Sequence, residues 1–230
     1  RHYNRSDLIL VPSEHTKKEI SACFNSPVEV LARGIDNRRF SARYRDRAPG
    51  NGRVEGIYVG RVASEKNLDM LVEIYSRRPG ITLKVVGDGP YLKEMKRKLP
   101  QAVYTGKLTG EDLSRAFANG DFFVFPSRSD TFGNVVMQAM CSGLPAIVTD
   151  GRGPKEQVQH GVTGFVASSA EEFGKAVDLL AGDPELRDRM GKAARVQAEE
   201  YTWENVFIVL LEHYEKAIEL YKRKNCGGFR

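Results

Sequence analysis

Apolar residues along this chain gather in short continuous runs, and between the runs they recur every three or four positions. The runs at 7–11, 28–31, 56–59, 82–86, 102–104, 122–125, 146–148 and 165–167 read as strands. The stretches at 14–24, 68–77, 91–99, 111–118, 134–141, 154–159 and 170–181 read as helices. A run such as "FFVF" at 122–125 is apolar at every position rather than at every second one. Strands of that kind are buried on both faces, and alternating with helices they build a parallel sheet covered on both sides. The predicted fold class is α/β, a doubly wound parallel sheet.

Two stretches interrupt the alternation. "SARYRDRAPGNGR" at 41–53 is polar, basic and rich in Gly and Pro, and reads as a linker. Beyond residue 181 the strand signals stop. A helix begins after "GDP" with Pro184 in its first turn, and Thr202 is placed to cap a last helix running to about Lys224. Val206, Leu210, Tyr214, Ala217 and Tyr221 form one apolar stripe along that helix. The final "NCGGFR" reads as a frayed end.

Composition narrows the classes. With 41% apolar and 28% charged residues among 230, the chain is globular and large enough for one big domain, or a domain with pieces of another. Apolar runs such as "FIVLL" at 207–211 are far too short to span a bilayer, and "RHYNRSDLILVPS" lacks the apolar core and cleavage site of a secretory leader. Cys23, Cys141 and Cys226 are scattered and odd in number, which argues against a disulfide framework and for a reducing, cytoplasmic compartment. Neither the four histidines nor any Asp-x-Asp pair offers metal-ligand spacing, so no metal is expected. A net charge of +5 favours anionic ligands or surfaces without selecting one. Much of it, as in "YLKEMKRKLP", suits the solvated face of a helix, and no finger or aromatic-basic strand signature speaks for nucleic acid.

Doubly wound sheets bind ligands beyond the carboxyl ends of their strands. After the run at 56–59 comes "GRVASEKN", which sets Arg61 and Lys66 beside Gly60 at a helix start, a pattern suited to a phosphate or diphosphate. The plainer alternative is a solvated loop in which Glu65 neutralises Lys66. After 82–86, "GDGP" allows a tight turn or the close approach of a ligand or another backbone; Leu92 occupies the third-glycine position of a dinucleotide fingerprint. After 122–125, "PSRSDTFGN" places Ser127, Asp130 and Thr131 before a helix whose first amides are those of Phe132, Gly133 and Asn134. Asp130 or Thr131 could simply cap that helix. Gln138, one turn inside it among apolar neighbours, needs hydrogen-bond partners: a carbonyl of the fold, or a sugar hydroxyl of a ligand.

Taken in order, "RGIDNRRF", "GRVASEKN", "VVGDGP", "VYTGKL", "PSRSDTFGNVVMQAMCSGLPAIVTD", "GRGPKEQV", "HGVTGFV" and "YTWENV" resemble glycosyltransferase family 4 over about 200 residues. These are retaining, nucleotide-sugar-dependent transferases of the two-domain GT-B fold. "RGID" with "DTFGNVV" is most similar to members that move mannose or a like hexose to lipid or polyprenyl acceptors.

The resemblance implies that residues 1–45 are a remnant of the acceptor domain with its linker. Residues 46–201 are then the Rossmann-like donor domain, and 202–230 a helix crossing back with its tail. It implies that Gly60, Arg61 and Lys66 hold the donor diphosphate, and that Tyr104, Thr105 and Gly106 lie at the nucleobase. Asp130, with Ser127 nearby, matches the first acid of an E-x-x-x-x-x-x-x-E motif near the transferred sugar. The amides of Phe132, Gly133 and Asn134 match those beside sugar and phosphate, and Gln138 matches the second acid, which holds the ribose. Asp for the first Glu is a mild departure; Gln for the second replaces a charged acceptor by a neutral one.

The resemblance further implies a GDP- or UDP-linked hexose as donor substrate, no other cofactor, and Asp130, Arg61 and Lys66 as the catalytic set. The acceptor would be a lipid or polysaccharide, reached at the inner face of the membrane, and the absent amino-terminal half would leave surfaces open to self-association. A non-catalytic nucleotide-sugar-binding module, or an epimerase of the same fold, stands as the alternative.

Overall fold

The computed structural model describes residues 5–46 and 53–226. Its strands are β1 (Ile9–Val11), β2 (Val28–Val30), β3 (Val54–Val59), β4 (Ile81–Val86), β5 (Val103–Gly106), β6 (Phe122–Phe125), β7 (Ala146–Thr149) and β8 (Gly164–Ala167). The last six form one parallel sheet in the order β5-β4-β3-β6-β7-β8. The chain enters that sheet in the middle at β3, builds outwards to β5, then crosses back to lay β6 on the other side of β3. Loops leaving β3 and β6 therefore part in opposite directions, and a crevice opens between them. β6 is buried at all four positions, as "FFVF" requires, whereas the edge strand β5 alternates between exposed and half-buried positions.

The helices are α1 (Glu14–Ile20), α2 (Leu68–Ser76), α3 (Leu92–Lys98), α4 (Gly110–Ala118), α5 (Asn134–Cys141), α6 (Pro154–Gln157), α7 (Ala170–Gly182), α8 (Pro184–Glu199) and α9 (Trp203–Cys226). Two end two or more residues short of the sequence pattern: the stretch at 14–24 ends in a 3-10 turn, Ser21–Cys23, and α6 stops at Gln157. The linker stretch contains a 3-10 turn, Ala42–Tyr44, while its residues 47–52 lie outside the described residues. Of "NCGGFR", Asn225 and Cys226 complete α9 and the remainder lies outside the described residues.

Among the described residues β1 and β2 pair only with each other, in a two-stranded parallel sheet apart from the large one. Three features bind this small unit to the main body. Phe40 is buried with its ring edge-on to Phe117 at 5.7 Å, and burying a ring of that size is worth about 1.5–3 kcal/mol. Arg195 of α8 donates to the carbonyls of Phe40, at 2.8 Å, and Cys141. Glu156 of α6 accepts from the first amides of α1, those of Glu14 at 3.0 Å and His15 at 2.6 Å.

α9 then runs back across the small unit. Thr202 caps it as expected, its hydroxyl accepting from the amide of Asn205 at 3.2 Å. The inward stripe differs from the expected one. Val206 is buried and Leu210, His213, Ala217 and Leu220 are half-buried, while Tyr214 and Tyr221 are exposed. His213 takes an inward place because its Nε2 meets the carbonyl of Val30 at 3.0 Å, a contact that apolar spacing does not foretell. Phe207, Ile208, Leu211, Tyr214 and Ile218 form a second, exposed apolar face on the same helix. No helix among the described residues is long and apolar enough to cross a membrane.

Glu29 of β2 ties these pieces together. Lys17 of α1, at 2.7 Å, and Lys216 of α9 both donate to its carboxylate and hold its pKa down to about 2, from an ordinary 4.5. A carboxyl with a lowered folded pKa stabilises only while ionised, so this stability is present above about pH 4.5 and is lost as pH falls towards 2. Amide exchange in α9 should therefore accelerate over that window, and Glu29→Gln should remove most of the pH dependence. A profile identical in wild type and mutant would place the acid lability elsewhere.

Candidate functional site

The loop after β3 is zipped to the loop after β4. Gly60 N–H donates to Val86 O at 3.0 Å, Val62 N–H to Asp88 O at 2.9 Å, and Tyr91 N–H to Val62 O at 3.0 Å. Gly87 and Gly89 make this possible: a Cβ at Gly87 would lie 1.9 Å from Gly60 O, and one at Gly89 2.3 Å from Val62 O. The glycines of "GDGP" thus admit another backbone. From beneath, the buried Tyr58 hydroxyl donates to Arg61 O at 2.9 Å. Burial, helped by the negative charges of Asp130 and Glu65, pushes its pKa far up, so it stays a neutral donor.

The same loop is tied to the one after β6. Asn67, in the left-handed region at φ 56°, donates from its side chain to Pro126 O at 3.3 Å, and Ser129 Oγ donates to Glu65 O at 3.3 Å. Between these ties Lys66 Nζ meets Asp130 Oδ2 at 2.8 Å, with both side chains largely shielded. The buried Ser127 hydroxyl donates to the same oxygen at 2.5 Å. Asp130 therefore does not cap α5, and no side chain among the described residues does. Nor does Glu65 neutralise Lys66; it lies 3.7 Å from Arg61, with both side chains exposed.

Gly133 precedes α5 at φ 79°, a conformation side chains resist, and a Cβ there would come within 2.9 Å of Pro154 Cγ. Gly153 fits under the loop in the same way, since its Cβ would stand 1.9 Å from Thr131 O. Gln157, buried, holds Phe132 O at 2.5 Å. The result is an uncapped helix start with a rigid floor, facing two cations.

Gly60, Arg61, Lys66, Asp130, Phe132, Gly133 and Asn134 line one cavity of about 400 Å³. An adjoining cavity of about 230 Å³ shares Phe132 and Asn134 and is also lined by Gln138 and Trp203. Gln138 is half-buried rather than buried, and its amide makes no hydrogen bond to another described residue. Of the two partners weighed for it, the carbonyl of the fold is not met among the described residues, and the side chain lines the smaller cavity.

Tyr104, Thr105 and Gly106 line neither cavity. The Tyr104 hydroxyl donates to the carbonyls of Leu99, at 2.9 Å, and Met95, at 3.1 Å, which turns the ring to α3. Thr105 and Gly106 sit at the strand end, where Gly106 O accepts from Gly87 N–H at 2.8 Å. A larger recess of about 620 Å³ lies between α2 and α7, but its charges satisfy each other, Arg78 and Asp178 at 2.6 Å. Among the described residues no cluster of three or more His, Cys, Asp or Glu could hold a metal ion.

Among the lining residues that sequence reasoning missed, Arg33 stands out. Arg33 borders both cavities, and its signal, the first letter of "RGIDNRRF", had no role attached to it.

With this geometry in view, the relatives are informative. The family model described as "Glycosyl transferases group 1" matches residues 46–197. The chain belongs to the group 1 glycosyl transferases. It is 34% identical over 240 residues to a sulfoquinovosyl transferase of Arabidopsis thaliana, covering 96% of this chain and 47% of that protein. It is 35% identical over 221 residues to a GDP-mannose-dependent alpha-mannosyltransferase of Mycobacterium tuberculosis, covering 94% and 58%. The chain thus spans about half the length of these curated relatives.

Among solved structures, sucrose-phosphate synthase from Thermosynechococcus elongatus superposes with a TM-score of 0.82 at 19% identity, over 94% of this chain and 59% of that one. Anabaena HepE, determined in complex with UDP, gives 0.81 at 20% identity, over 93% and 65%. The group 1 chain accordingly has the α/β architecture of GT-B glycosyltransferases, with a parallel sheet flanked by helices and a long final helix.

Proposed function

We propose that this chain is the donor-binding part of a retaining glycosyltransferase, which moves a hexose from a nucleoside diphosphate sugar to an acceptor hydroxyl. The observation that carries the reading is the cavity where Arg61, Lys66 and the uncapped start of α5 face one another. Cations and helix amides that no described side chain caps stabilise the diphosphate both when bound and as it departs, the role of an oxyanion hole. Mannose is favoured as the hexose by relatives named as GDP-mannose-dependent. The neighbour solved with UDP keeps uridine donors in view.

In this reading residues 46–201 form the donor domain. The unit of β1, α1 and β2, with α9 lying across it, is the edge of an acceptor domain whose remainder would cover the exposed face of α9. Asp130 holds Lys66 in place and borders the sugar, and Gln138 offers its amide to the ribose. Thr105 and Gly106 approach the base through backbone, the Tyr104 ring being engaged elsewhere.

Calorimetric titration of GDP and UDP into the chain tests the proposal. At least one should bind, and the binding should persist in a chelator, because protein cations do the work a divalent ion would do. Trp203, the one tryptophan, borders the smaller cavity and should report the event by fluorescence. Absence of binding by both nucleotides would overturn the reading. Loss of binding in chelator would overturn its metal-free form.

A further inference from the structure

Three of the four residues Arg33–Asp36 have evident work in the fold. Gly34 lies under Trp203, whose ring would stand 2.5 Å from an added Cβ. Ile35 is buried, bridges to Thr202, and donates its N–H to Tyr201 O at 2.7 Å. Asp36 accepts from the amides of Arg38, at 3.1 Å, and Arg39, at 2.9 Å. These contacts fix the backbone on both sides of the turn. Arg33 is the exception: it is exposed, and its guanidinium has no hydrogen bond or ion pair with another described residue.

An exposed, unpaired arginine is ordinary on a protein surface. This one differs in its place. It is carried on a pinned turn from outside the large sheet, and it lines both the cavity of Arg61 and Lys66 and the cavity of Gln138. Lys66 is already paired with Asp130, and Arg61 has Glu65 nearby. Of the three cations lining the cavity of Arg61 and Lys66, Arg33 is therefore the one with no competing carboxylate among the described residues. A guanidinium is also the side chain best matched to phosphate oxygens, through its planar fork of donors.

We propose that Arg33 is a donor-binding residue that takes the diphosphate together with Arg61 and Lys66, and that the neutrality of Gln138 keeps it available. A carboxylate at 138 would share the smaller cavity with Arg33 and attract its guanidinium away from the phosphates. The amide accepts from a ribose hydroxyl without doing so. Asp36 and Arg39 also border that cavity, but Asp36 is occupied by backbone amides. The inference rests on the nucleotide-binding reading above and adds the residue that reads the charge.

The test uses GDP, UDP and their nucleosides, titrated into wild type, Arg33→Ala, Arg33→Lys and Gln138→Glu, with thermal midpoints recorded. Arg33→Ala should lose about tenfold in affinity for the diphosphate, as expected for one charged hydrogen bond, and nothing for the nucleoside. Its midpoint should match wild type, and Arg33→Lys should recover part of the loss. In Gln138→Glu the ratio of diphosphate to nucleoside affinity should fall, and it should not fall further when Arg33 is also alanine. Wild-type binding retained in Arg33→Ala, or an equal loss for nucleoside and diphosphate, overturns this inference alone. An unchanged ratio in Gln138→Glu overturns the part assigned to Gln138. No binding by wild type overturns the nucleotide reading and this inference together.

Discussion

Lys66→Ala should weaken nucleoside diphosphate binding by at least about tenfold, the largest loss expected from any single side chain in the cleft. A charged hydrogen bond contributes roughly 1.5–3 kcal/mol, and 1.4 kcal/mol is a factor of ten. The structure adds a second reason. Lys66 stands 2.8 Å from Asp130 in a shielded site, so its removal leaves a carboxylate facing the diphosphate with only Ser127 to hold it. Repulsion is then added to the lost attraction. Asp130→Asn removes the negative charge and keeps the cation, so its loss for the same ligand should be much smaller. Affinities measured by calorimetry for wild type and both variants decide the matter. Equal affinity in wild type and Lys66→Ala would dismiss the site, and equal losses in the two variants would show that the pair acts only as a structural tie.

Much of this architecture is legible in the apolar pattern, because continuous runs such as "FFVF" have only one economical burial, the interior of a parallel sheet. The order of the strands then places the loops after β3 and β6 at the crevice, which brings Arg61, Lys66 and Asp130 together without further information. What periodicity cannot carry is which polar side chain points where. Tyr104 turns to the carbonyls of Leu99 and Met95 because it sits beside the last turn of α3, a tertiary fact. His213 displaces Tyr214 from the inward stripe of α9 because a strand carbonyl happens to lie there. The place of Arg33 is hidden in the sequence for a related reason. Its importance comes from the turn that the next three residues build, and that turn exists only against Tyr201, Thr202 and Trp203, about 170 positions along the chain.

The glycines of "GDGP" show how a substitution remote from any ligand should reach the site. Gly87→Ala places a methyl group 1.9 Å from the Gly60 carbonyl oxygen, at φ +144°, where side chains are rarely tolerated. The obstacle is backbone, so no rotamer change relieves it. Either the two loops separate or the strand end distorts. Separation breaks the bonds from Gly60 to Val86 and from Val62 to Asp88, which hold the loop bearing Arg61. Strain of about 1–3 kcal/mol, with two hydrogen bonds each worth about 0.5–1.5 kcal/mol, gives a loss of roughly 2–6 kcal/mol. For a chain of this size that is a fall in thermal midpoint of roughly 4–24 °C. Gly80 provides the contrast, because a Cβ there meets nothing within 4 Å. Gly80→Ala should therefore leave the midpoint close to that of wild type. Nucleotide affinity should fall in Gly87→Ala even well below its midpoint, since Arg61 moves with the displaced loop, and should hold in Gly80→Ala. If Gly87→Ala melts and binds like wild type, the two loops are not locked together, and the rigidity assigned to the crevice does not come from their backbone contact.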